Sequence, residues 1–506
     1  MKRTHFLSFC TLLLALFPLT SKAQLWPEVV QAEPLAREIR TVWYCTVEGI
    51  DWPRGQRATD AASAERQKQL LRDDFDRLQA AGINVILFQC RTRGVVAYKS
   101  DYETWDGIYT GTIGQAPPYD PLQFAIDEAH KRGMELHAYM VTYPLMYTNQ
   151  TSKLGKKCAP NSHPELCQKC GNRWYLDPGV PGTSEYLAKL CKEVVEKYDV
   201  DGVHLDYIRY MEKEVGLNDD TAYRKYGKGQ NKAQWKRDQV TNCVRQITAA
   251  VRSVKPWVKM TCAPVGKYAD LPRASSYGWN ARDAVSQDAQ LWLKEGIMDW
   301  LIPMMYFDGK HFYPFIANWV QESHGHPVVP GLGVYLLAPD QKNWNGEVIR
   351  RQMNVSRSLG CPGIGFFRSK FLLDNHKGVY DFTREFFRQP ALTPASTWLD
   401  ATPPAAPVVT ATLKRGFVVG LDWSPVADAT PIVYNVYHEY ADGRMEMLAH
   451  HLKTTHYEYT PAICSSVYDN LYVRAMDAYG NESALQPVKV KREAMAAPAI
   501  PKVPGM

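Results

Sequence analysis

The chain has 506 residues, more than one ordinary hydrophobic core accommodates, so two or more domains are expected. Hydrophobic residues make up 45% and charged residues 22%, which is typical of a globular protein and excludes a largely disordered one. The net charge of +6 is small for this length and no basic block occurs, so nucleic-acid binding is disfavoured.

The N-terminus has the pattern of a targeting segment. Lys2 and Arg3 precede a mostly apolar run from Phe6 to Leu19, and Ser21-Lys-Ala23 forms a cleavage site with small residues. We therefore predict a signal peptide over residues 1–23 and export to the periplasm or the exterior. The run is shorter than the ~20 residues that span a bilayer, and no later stretch is long and apolar enough, so we expect no membrane span.

Strand-like and helix-like segments then alternate along most of the chain. Apolar runs such as Ile83–Arg91 are typical of strands buried on both faces, and Gly82 is a typical end of the preceding helix. The predicted strands are 40–46, 83–91, 134–141, 202–207, 258–263, 300–306, 328–335 and 363–368. The predicted helices are 61–81, 121–133, 181–198, 234–254, 281–296, 312–323, 346–359 and 379–387.

Eight strands alternating with helices predict an α/β protein with a (β/α)8 barrel, placed at residues 37–390. A doubly wound open sheet is the main alternative. Such a sheet usually carries a Gly-rich phosphate turn after its first strand, whereas here that strand leads into Val47-Glu-Gly49. No nucleotide or flavin motif is found, so no cofactor is expected.

The composition and the hydrophobic pattern of the sequence change after the barrel. Residues 391–407 are rich in Pro, Ala and Thr and indicate a linker. Short alternating segments separated by turn residues follow, which predicts a small β-sandwich over 408–491. Leu421-Asp-Trp423, Tyr434-Asn-Val-Tyr437 and the run from Tyr472 to Ser483 resemble a fibronectin type III domain. The tail 492–506 is expected to be disordered.

Three cysteines, Cys158, Cys167 and Cys170, occur in one loop with His163 between them. Three thiols and an imidazole could hold a structural zinc ion. They could equally form one disulfide with a spare thiol, which an exported protein permits, and we place the disulfide or free thiol ahead of metal.

The stretch from Tyr198 to Tyr210 contains the main catalytic candidate. Side chains alternate along a strand, so Val203 and Leu205 would face the helices, while His204 and Asp206 would point into the barrel. An inward carboxylate at the carboxyl end of a barrel strand is typical of catalysis, although Asp206 could instead cap a helix or bind an arginine.

The same alternation places other polar side chains inside the barrel. Gln89 and His137 would lie at the depth of His204, so we expect these three to form a hydrogen-bonded layer supporting Asp206. Each histidine is more readily explained as a supporting group than as a catalytic one.

Glycoside hydrolysis needs two carboxyl groups, one to donate a proton and one to act as nucleophile or to activate water. Glu48 and Asp308, each near the end of a predicted strand, are candidates to accompany Asp206. Other residues predicted to contact substrate are Asp51, Trp52, Arg91, Trp105, Tyr139, Trp174, Tyr207, Arg209, Tyr306 and Arg368. The aromatic members could stack on sugar rings. The three arginines could steer an acidic sugar or lower a carboxylate pKa, or could instead form ion pairs at the rim.

The chain from Arg37 to Arg388 resembles the glycosyl-hydrolase-like family 10, which comprises exported bacterial (β/α)8-barrel proteins. The stretches that carry the resemblance are 50–53, 81–85, 119–122, 129–133, 136–138, 163–164, 175–179 and 200–207. The resemblance implies glycan hydrolysis, with members linked to bacterial cell-wall glycans, and it maps the family's fourth-strand aspartate onto Asp206. Many relatives carry a second acid directly after it, where this chain has Tyr207.

Together these features predict an exported glycoside hydrolase that acts on a polysaccharide, peptidoglycan among the candidates. One alternative is a glycan-binding barrel without catalysis, suggested by Tyr207 in place of the second acid. Another is a metal-dependent polysaccharide deacetylase with His137, His204 and Asp206 as ligands.

Overall fold

The computed structural model describes residues 35–413, 418–440, 442–460, 471–486 and 488–492. The predicted signal peptide lies outside these residues, as does the predicted tail from residue 493 onward.

Eight parallel strands form the central sheet, and their side chains are buried throughout. They are β1 Ile39–Tyr44, β2 Val85–Arg91, β3 Glu135–Val141, β4 Gly202–Asp206, β5 Lys259–Cys262, β6 Trp300–Leu301, β7 Gly331–Leu332 and β8 Gly363–Phe366. Each strand pairs with its neighbours in chain order, and β1 also pairs with β8. Isolated parallel bridges Leu301↔Val328 and Met304↔Gly331 join β6 to β7 and close the sheet. The predicted α/β barrel is thereby confirmed.

Helices cover the outside of this sheet. The main ones are α1 Ala61–Ala80, α2 Pro121–Lys131, α3 Pro181–Lys197, α4 Lys232–Arg252, α5 Ala289–Lys294, α6 Tyr313–Gln321, α7 Gly346–Ser358 and α8 Val379–Phe386. Polar residues fix where several begin. The Asp60 carboxylate accepts from the Ser63 amide at 2.7 Å, and Asp120 caps α2 in the same way at 3.0 Å.

The sixth and seventh strands are shorter than the sequence predicts. Only Trp300–Leu301 and Gly331–Leu332 have strand geometry, against the predicted 300–306 and 328–335. Pro303 and Pro330 interrupt the two runs, and proline has no amide to donate to a sheet. The helix predicted at 281–296 is likewise broken, into Ala281–Ala284 and Ala289–Lys294.

Two insertions extend the carboxyl end of the barrel. After β2, short strands Val95–Val96 and Thr104–Trp105 join the main sheet. After β3, strands Pro144–Tyr147, Cys167–Cys170 and Arg173–Leu176 form a separate antiparallel sheet. The insertion after β3 builds one wall of the pocket described below.

The C-terminal residues form two small sheets around one core. One sheet contains Val409–Leu413, Val419–Trp423, His456–Tyr459 and Lys489–Arg492, and the other contains Val433–Glu439, Met445–Leu452 and Leu471–Met476. Buried side chains from both sheets share the core, Leu421 and Val473 among them. This arrangement is a β-sandwich. Its assignment as a fibronectin type III domain stays a prediction.

The sandwich packs against the amino-terminal end of the barrel, away from the strand ends that carry Asp206. Glu482 receives hydrogen bonds from Arg37 of the barrel segment at 2.9 Å and from Asn435 and Tyr437 of the sandwich at 2.9 and 2.6 Å. The predicted linker is buried at Leu392 and elsewhere, and contributes to this contact. None of the described helices is long and apolar enough to cross a bilayer.

Candidate active site

A pocket of about 500 Å³ opens at the carboxyl end of the barrel. Its walls come from six strand ends and from the insertion after β3. Asp206 at the end of β4, Tyr139 on β3 and Tyr306 after β6 contribute to it, together with Arg173 and Tyr175 from the insertion. This is the end of a parallel barrel at which substrates bind.

Asp206 is the last residue of β4, and the residue is only 7% exposed. The hydroxyl of Tyr139 donates to Oδ2 at 2.6 Å, and the backbone amide of Tyr207 donates to Oδ1 at 2.7 Å. Burial raises the pKa of Asp206 above its usual value, and the two donors oppose that rise only in part. A carboxyl group of this kind can hold a proton at a higher pH than a solvated one.

Tyr139 supports Asp206 directly. Burial, followed by the charge of Asp206, raises the pKa of Tyr139 far above its usual value, so the phenol keeps its proton and acts as the donor. Its ring also meets the imidazole of His204 edge-on, with centroids 5.4 Å apart. Tyr139 was predicted to contact substrate. It lines the pocket and in addition positions the carboxyl group.

The inward layer is present, but its predicted members Gln89 and His204 do not bond to Asp206. Gln89, Tyr139, His204 and Thr261 are paired in register across β2 to β5. Trp43 donates to Nε2 of His204 at 3.1 Å, which leaves Nδ1 to donate to Thr261 Oγ1 at 3.0 Å. Burial, followed by the charge of His137, lowers the pKa of His204 well below its usual value, so the ring is neutral. The predicted support of Asp206 by this layer therefore acts through packing against Tyr139.

His137 lies one layer deeper than predicted, in register with Leu87 and Gly202. Its Nε2 lies 3.2 Å from Glu135 Oε2. A Cβ at Gly202 would stand 2.6 Å from the His137 ring, so glycine is needed there to leave room for the imidazole. Nothing places His137 in the pocket.

Gln89 fixes the start of the loop after β1. Its Oε1 accepts from the backbone amides of Thr46 and Val47 at 3.0 and 2.8 Å, and Gln89 itself lines the pocket. Glu48, which follows Val47, has a positive φ of 54°. This loop sets the position of Glu48 at the pocket edge.

The two predicted second carboxylates lie in different places. Glu48 lines a neighbouring cavity, has a 63% exposed side chain and pairs with Arg93 at 2.8 Å. Asp308 is exposed and accepts from the Gly309 amide at 2.7 Å, which is the capping role of an aspartate at a helical turn. Asp308 does not line the pocket that contains Asp206.

Glu212 lines that pocket instead and was not predicted. Its side chain is 35% exposed and pairs with Arg209 at 2.9 Å. Glu212 comes six residues after Asp206, in the loop that follows β4. Because Glu212 lies beyond the end of β4, the alternation of side chains along the strand could not identify it.

The three predicted cationic residues are all engaged elsewhere. Arg91 is fully buried and forms a bidentate pair with Glu103 at 2.6 and 2.7 Å. Arg368 pairs with the buried carboxylate of Asp51, which also accepts from the Cys45 amide at 2.8 Å. Since Arg209 pairs with Glu212, none of the three is free to bind an acidic sugar.

Arg91 misses the pocket because β2 is irregular. The pairing of β2 with β3 shifts between Gln89 and Arg91, so the alternation that places Gln89 inward fails two residues later. Arg93 and Arg173 line the pocket in its place. Arg93 lies two residues beyond the strand end, a position from which its role could have been inferred.

The predicted aromatic contacts divide in a similar way. Tyr306 and Tyr207 line the pocket, and Tyr306 stacks on Phe367 with centroids 5.1 Å apart. Trp52 is fully buried and donates to the Gln67 carbonyl at 2.9 Å, so it belongs to the core and cannot stack on a sugar. Trp105 and Trp174 are half-buried and do not line this pocket. Within the strand Arg173–Leu176, alternation turns Trp174 away from the pocket and Arg173 and Tyr175 toward it.

Of the arrangements predicted for the cysteine loop, the structure has the free thiols. Cys158, Cys167 and Cys170 are free thiols, and Cys158 Sγ lies 3.4 Å from Met146 Sδ. Cys167 and Cys170 are three apart on one strand, so their side chains point to opposite faces. No group of three His, Cys, Asp or Glu side chains suited to a metal ion occurs among the described residues.

The fold and the pocket define an α/β barrel with a buried carboxyl group at its strand ends, and sequence comparison gives its family. The model of the family Glycosyl hydrolase-like 10 matches residues 38–324. Glycosyl hydrolase YngK of Bacillus subtilis (strain 168) is 33% identical over 394 residues, 74% of this chain and 76% of that protein. Glycosyl hydrolase DigH of Escherichia coli (strain K12) is 31% identical over 369 residues, 67% of this chain and 84% of that protein. The chain belongs to the Glycosyl hydrolase-like 10 family.

Among solved structures, the chain is similar to the glycoside hydrolase domain of PgaB (BpsB) from Bordetella bronchiseptica. The TM-score is 0.49 at 14% identity, and the match covers 71% of this chain and 100% of that one.

Proposed function

We propose that this protein hydrolyses glycosidic bonds of a polysaccharide in the pocket at the carboxyl end of the barrel. The observation that carries the proposal is Asp206, a buried carboxyl group at a strand end that faces a pocket of about 500 Å³. Membership of a glycosyl hydrolase-like family supports the class of reaction.

Asp206 acts in this proposal as the general acid. Burial raises its pKa, which favours the protonated form that must donate to the leaving glycosidic oxygen. The Tyr139 hydroxyl and the Tyr207 amide hold the carboxyl group in one orientation. After donation, the same two hydrogen bonds stabilise the carboxylate that remains.

The second carboxyl group is best supplied by Glu212. It lines the same pocket and, unlike Asp206, is partly exposed and paired with an arginine. Two carboxyl groups in contrasting environments are what acid and nucleophile, or acid and base, require. Glu48 at the pocket edge is the next candidate, and Asp308 is the weakest because it lies outside the pocket.

The substrate to test first is a bacterial cell-wall glycan, since the family resemblance points there. Export through the segment 1–23 would place the protein in the periplasm or outside the cell, where such glycans occur. The C-terminal sandwich, which we propose to be fibronectin-like, lies at the other end of the barrel and serves as a spacer or accessory module.

The residues predicted to hold the metal ion of a deacetylase have other hydrogen-bond partners. The imidazoles of His137 and His204 share Thr261 as a partner, whereas Asp206 bonds to Tyr139. The glycan-binding barrel without catalysis remains as an outcome of the test below.

The test measures new reducing ends released from a panel of glycans, peptidoglycan strands included. The mature protein should release them, and Asp206→Asn and Glu212→Gln should each lower kcat by about a hundredfold or more. Asp308→Asn is the matched control and should retain kcat within a few-fold. Binding without release by the wild type would establish the glycan-binding barrel and refute the proposal.

A further inference from the structure

A groove continues from the pocket of Asp206 across the barrel end. The pocket shares Val47, Thr92 and Arg93 with a second cavity of about 460 Å³. That cavity shares Tyr147 and Gln150 with a third, also of about 460 Å³. Three connected cavities provide room for several sugars of a chain on one side of Asp206.

Two guanidinium groups meet one aromatic ring where the first two cavities join. The guanidinium of Arg173 lies 4.3 Å from the centroid of the Tyr147 ring, and that of Arg93 lies 5.9 Å from it. Both arginines line the pocket of Asp206, and Tyr147 lines the two cavities beyond. We call Arg93, Tyr147 and Arg173 the guanidinium platform.

Arg173 is the cation of this platform that lacks an anionic partner. Within the described part of the chain it forms no ion pair, whereas Arg93 pairs with Glu48. The pocket's own carboxyl groups are already satisfied, because Glu212 pairs with Arg209 and Asp206 has Tyr139 and an amide. The donors of Arg173 therefore face the groove without a carboxylate from the protein.

The ring of Tyr147 holds Arg173 in place before any ligand arrives. Stacking on an aromatic face restricts the guanidinium plane and leaves its edge donors available. The five donors of a guanidinium match the two oxygens of a carboxylate in a bidentate pair. Since the platform lies beside Asp206, a ligand bound there would be the sugar next to the cleaved bond.

We propose that the guanidinium platform is a subsite for a sugar that carries a carboxylate, and that Arg173 sets this specificity. The inference rests on the proposed glycan substrate and narrows it to acidic glycans, in which a carboxylate recurs along the chain. A neutral chain of the same length would leave the Arg173 donors to water.

The test measures binding by calorimetry in the Asp206→Asn background, so that turnover does not interfere. The probes are hyaluronan oligosaccharides, oligogalacturonates and peptidoglycan strands, each paired with a form whose carboxylates have been reduced to alcohols. For the acidic probe that binds, reduction should weaken binding by about tenfold or more, the effect of one charge-assisted bidentate contact.

Arg173→Gln should remove that preference, so that the acidic and reduced probes bind within about twofold of each other. Arg173→Lys keeps the charge but removes the planar guanidinium that binds both carboxylate oxygens, so it should keep only part of the preference for the acidic probe. Arg66→Gln changes the same charge on an exposed helical position outside the groove and should keep all of it. Thermal melting of each variant verifies that the fold is intact.

A preference for carboxylates that survives Arg173→Gln, or equal binding of acidic and reduced probes by the parent, would overturn the inference. Because binding is measured apart from hydrolysis, the two proposals fail separately. Turnover of a neutral glycan with no carboxylate preference would refute the subsite alone. A carboxylate preference without turnover by the wild type would refute the hydrolase alone. No binding of any probe would refute the subsite.

Discussion

Replacing Tyr139 with phenylalanine should raise the pKa of Asp206 further. The substitution removes the hydroxyl that donates to Oδ2 at 2.6 Å and leaves the pocket shape unchanged. A hydrogen bond to a charged group contributes about 1.5–3 kcal/mol, and about 1.4 kcal/mol corresponds to one pKa unit. The protonated form of Asp206 should therefore persist over about one to two further pH units.

The assay is the pH dependence of kcat/KM, which reports groups of the free enzyme. If Asp206 is the general acid, activity falls as pH rises through its pKa, so Tyr139→Phe should move the alkaline limb upward by about one to two pH units. Movement of the acidic limb alone would show that Asp206 acts in its ionised form and would refute the assignment as acid.

Tyr306→Phe is the matched control. Tyr306 lines the same pocket, and its hydroxyl has no hydrogen-bond partner in the described structure. Removing it deletes the same group without touching Asp206, so the alkaline limb should stay within a few tenths of a pH unit. Equal shifts in the two variants would mean that general pocket polarity, rather than the Tyr139 bond, controls the limb.

Three further results are expected. Asp206→Asn should raise the melting temperature at pH 7, because burial raises the pKa of Asp206 in the folded state and ionising this group there costs stability. Thermal melts should show that the gain vanishes below about pH 4, where Asp206 is protonated in both the folded and the unfolded state. No gain at pH 7 would contradict this. Gly202→Ala should cost about 1–3 kcal/mol in urea unfolding by overpacking against His137, and a loss below 0.5 kcal/mol would show that the ring relaxes at little cost. Glu482→Gln should lower the free energy of unfolding by about 1–3 kcal/mol in the same assay, because it weakens the contact between barrel and sandwich. The control Glu65→Gln changes an exposed carboxylate and should cost less than about 1 kcal/mol. Equal losses would refute a special role for Glu482.

The barrel could be predicted because its strands and helices have distinct periodicities. Buried strands such as Val85–Arg91 begin with a continuous apolar run, and helices such as Ala61–Ala80 begin at a capping aspartate. The sixth and seventh strands were overestimated because Pro303 and Pro330 break the pairing inside apolar runs. Hydropathy alone does not distinguish a strand from a buried loop.

Within the site, alternation along β3 and β4 placed Asp206, Tyr139 and His204 on the inner face, where the structure has them. Alternation failed at Arg91 because a local irregularity in β2 turns that side chain out to Glu103. The residue types along β2 do not reveal such an irregularity.

Glu212 lies in a loop and Arg173 in an inserted strand, and which of these segments folds over the pocket depends on long-range packing. Arg173 reaches the pocket because Arg173–Leu176 pairs with Pro144–Tyr147 in the sheet after β3. The alternation of Trp174 and Tyr175 was present in the sequence, but without that pairing neither face could be assigned to the pocket.

The most direct measurement is mass spectrometry of products formed in water enriched in the heavy oxygen isotope. The mature protein should release shortened glycans that carry one heavy oxygen at each new reducing end, and Asp206→Asn should release none above background. Shortened chains without the isotope, or unshortened chains that have lost acetyl groups, would contradict glycoside hydrolysis. Labelled products formed equally by Asp206→Asn would remove Asp206 from the mechanism.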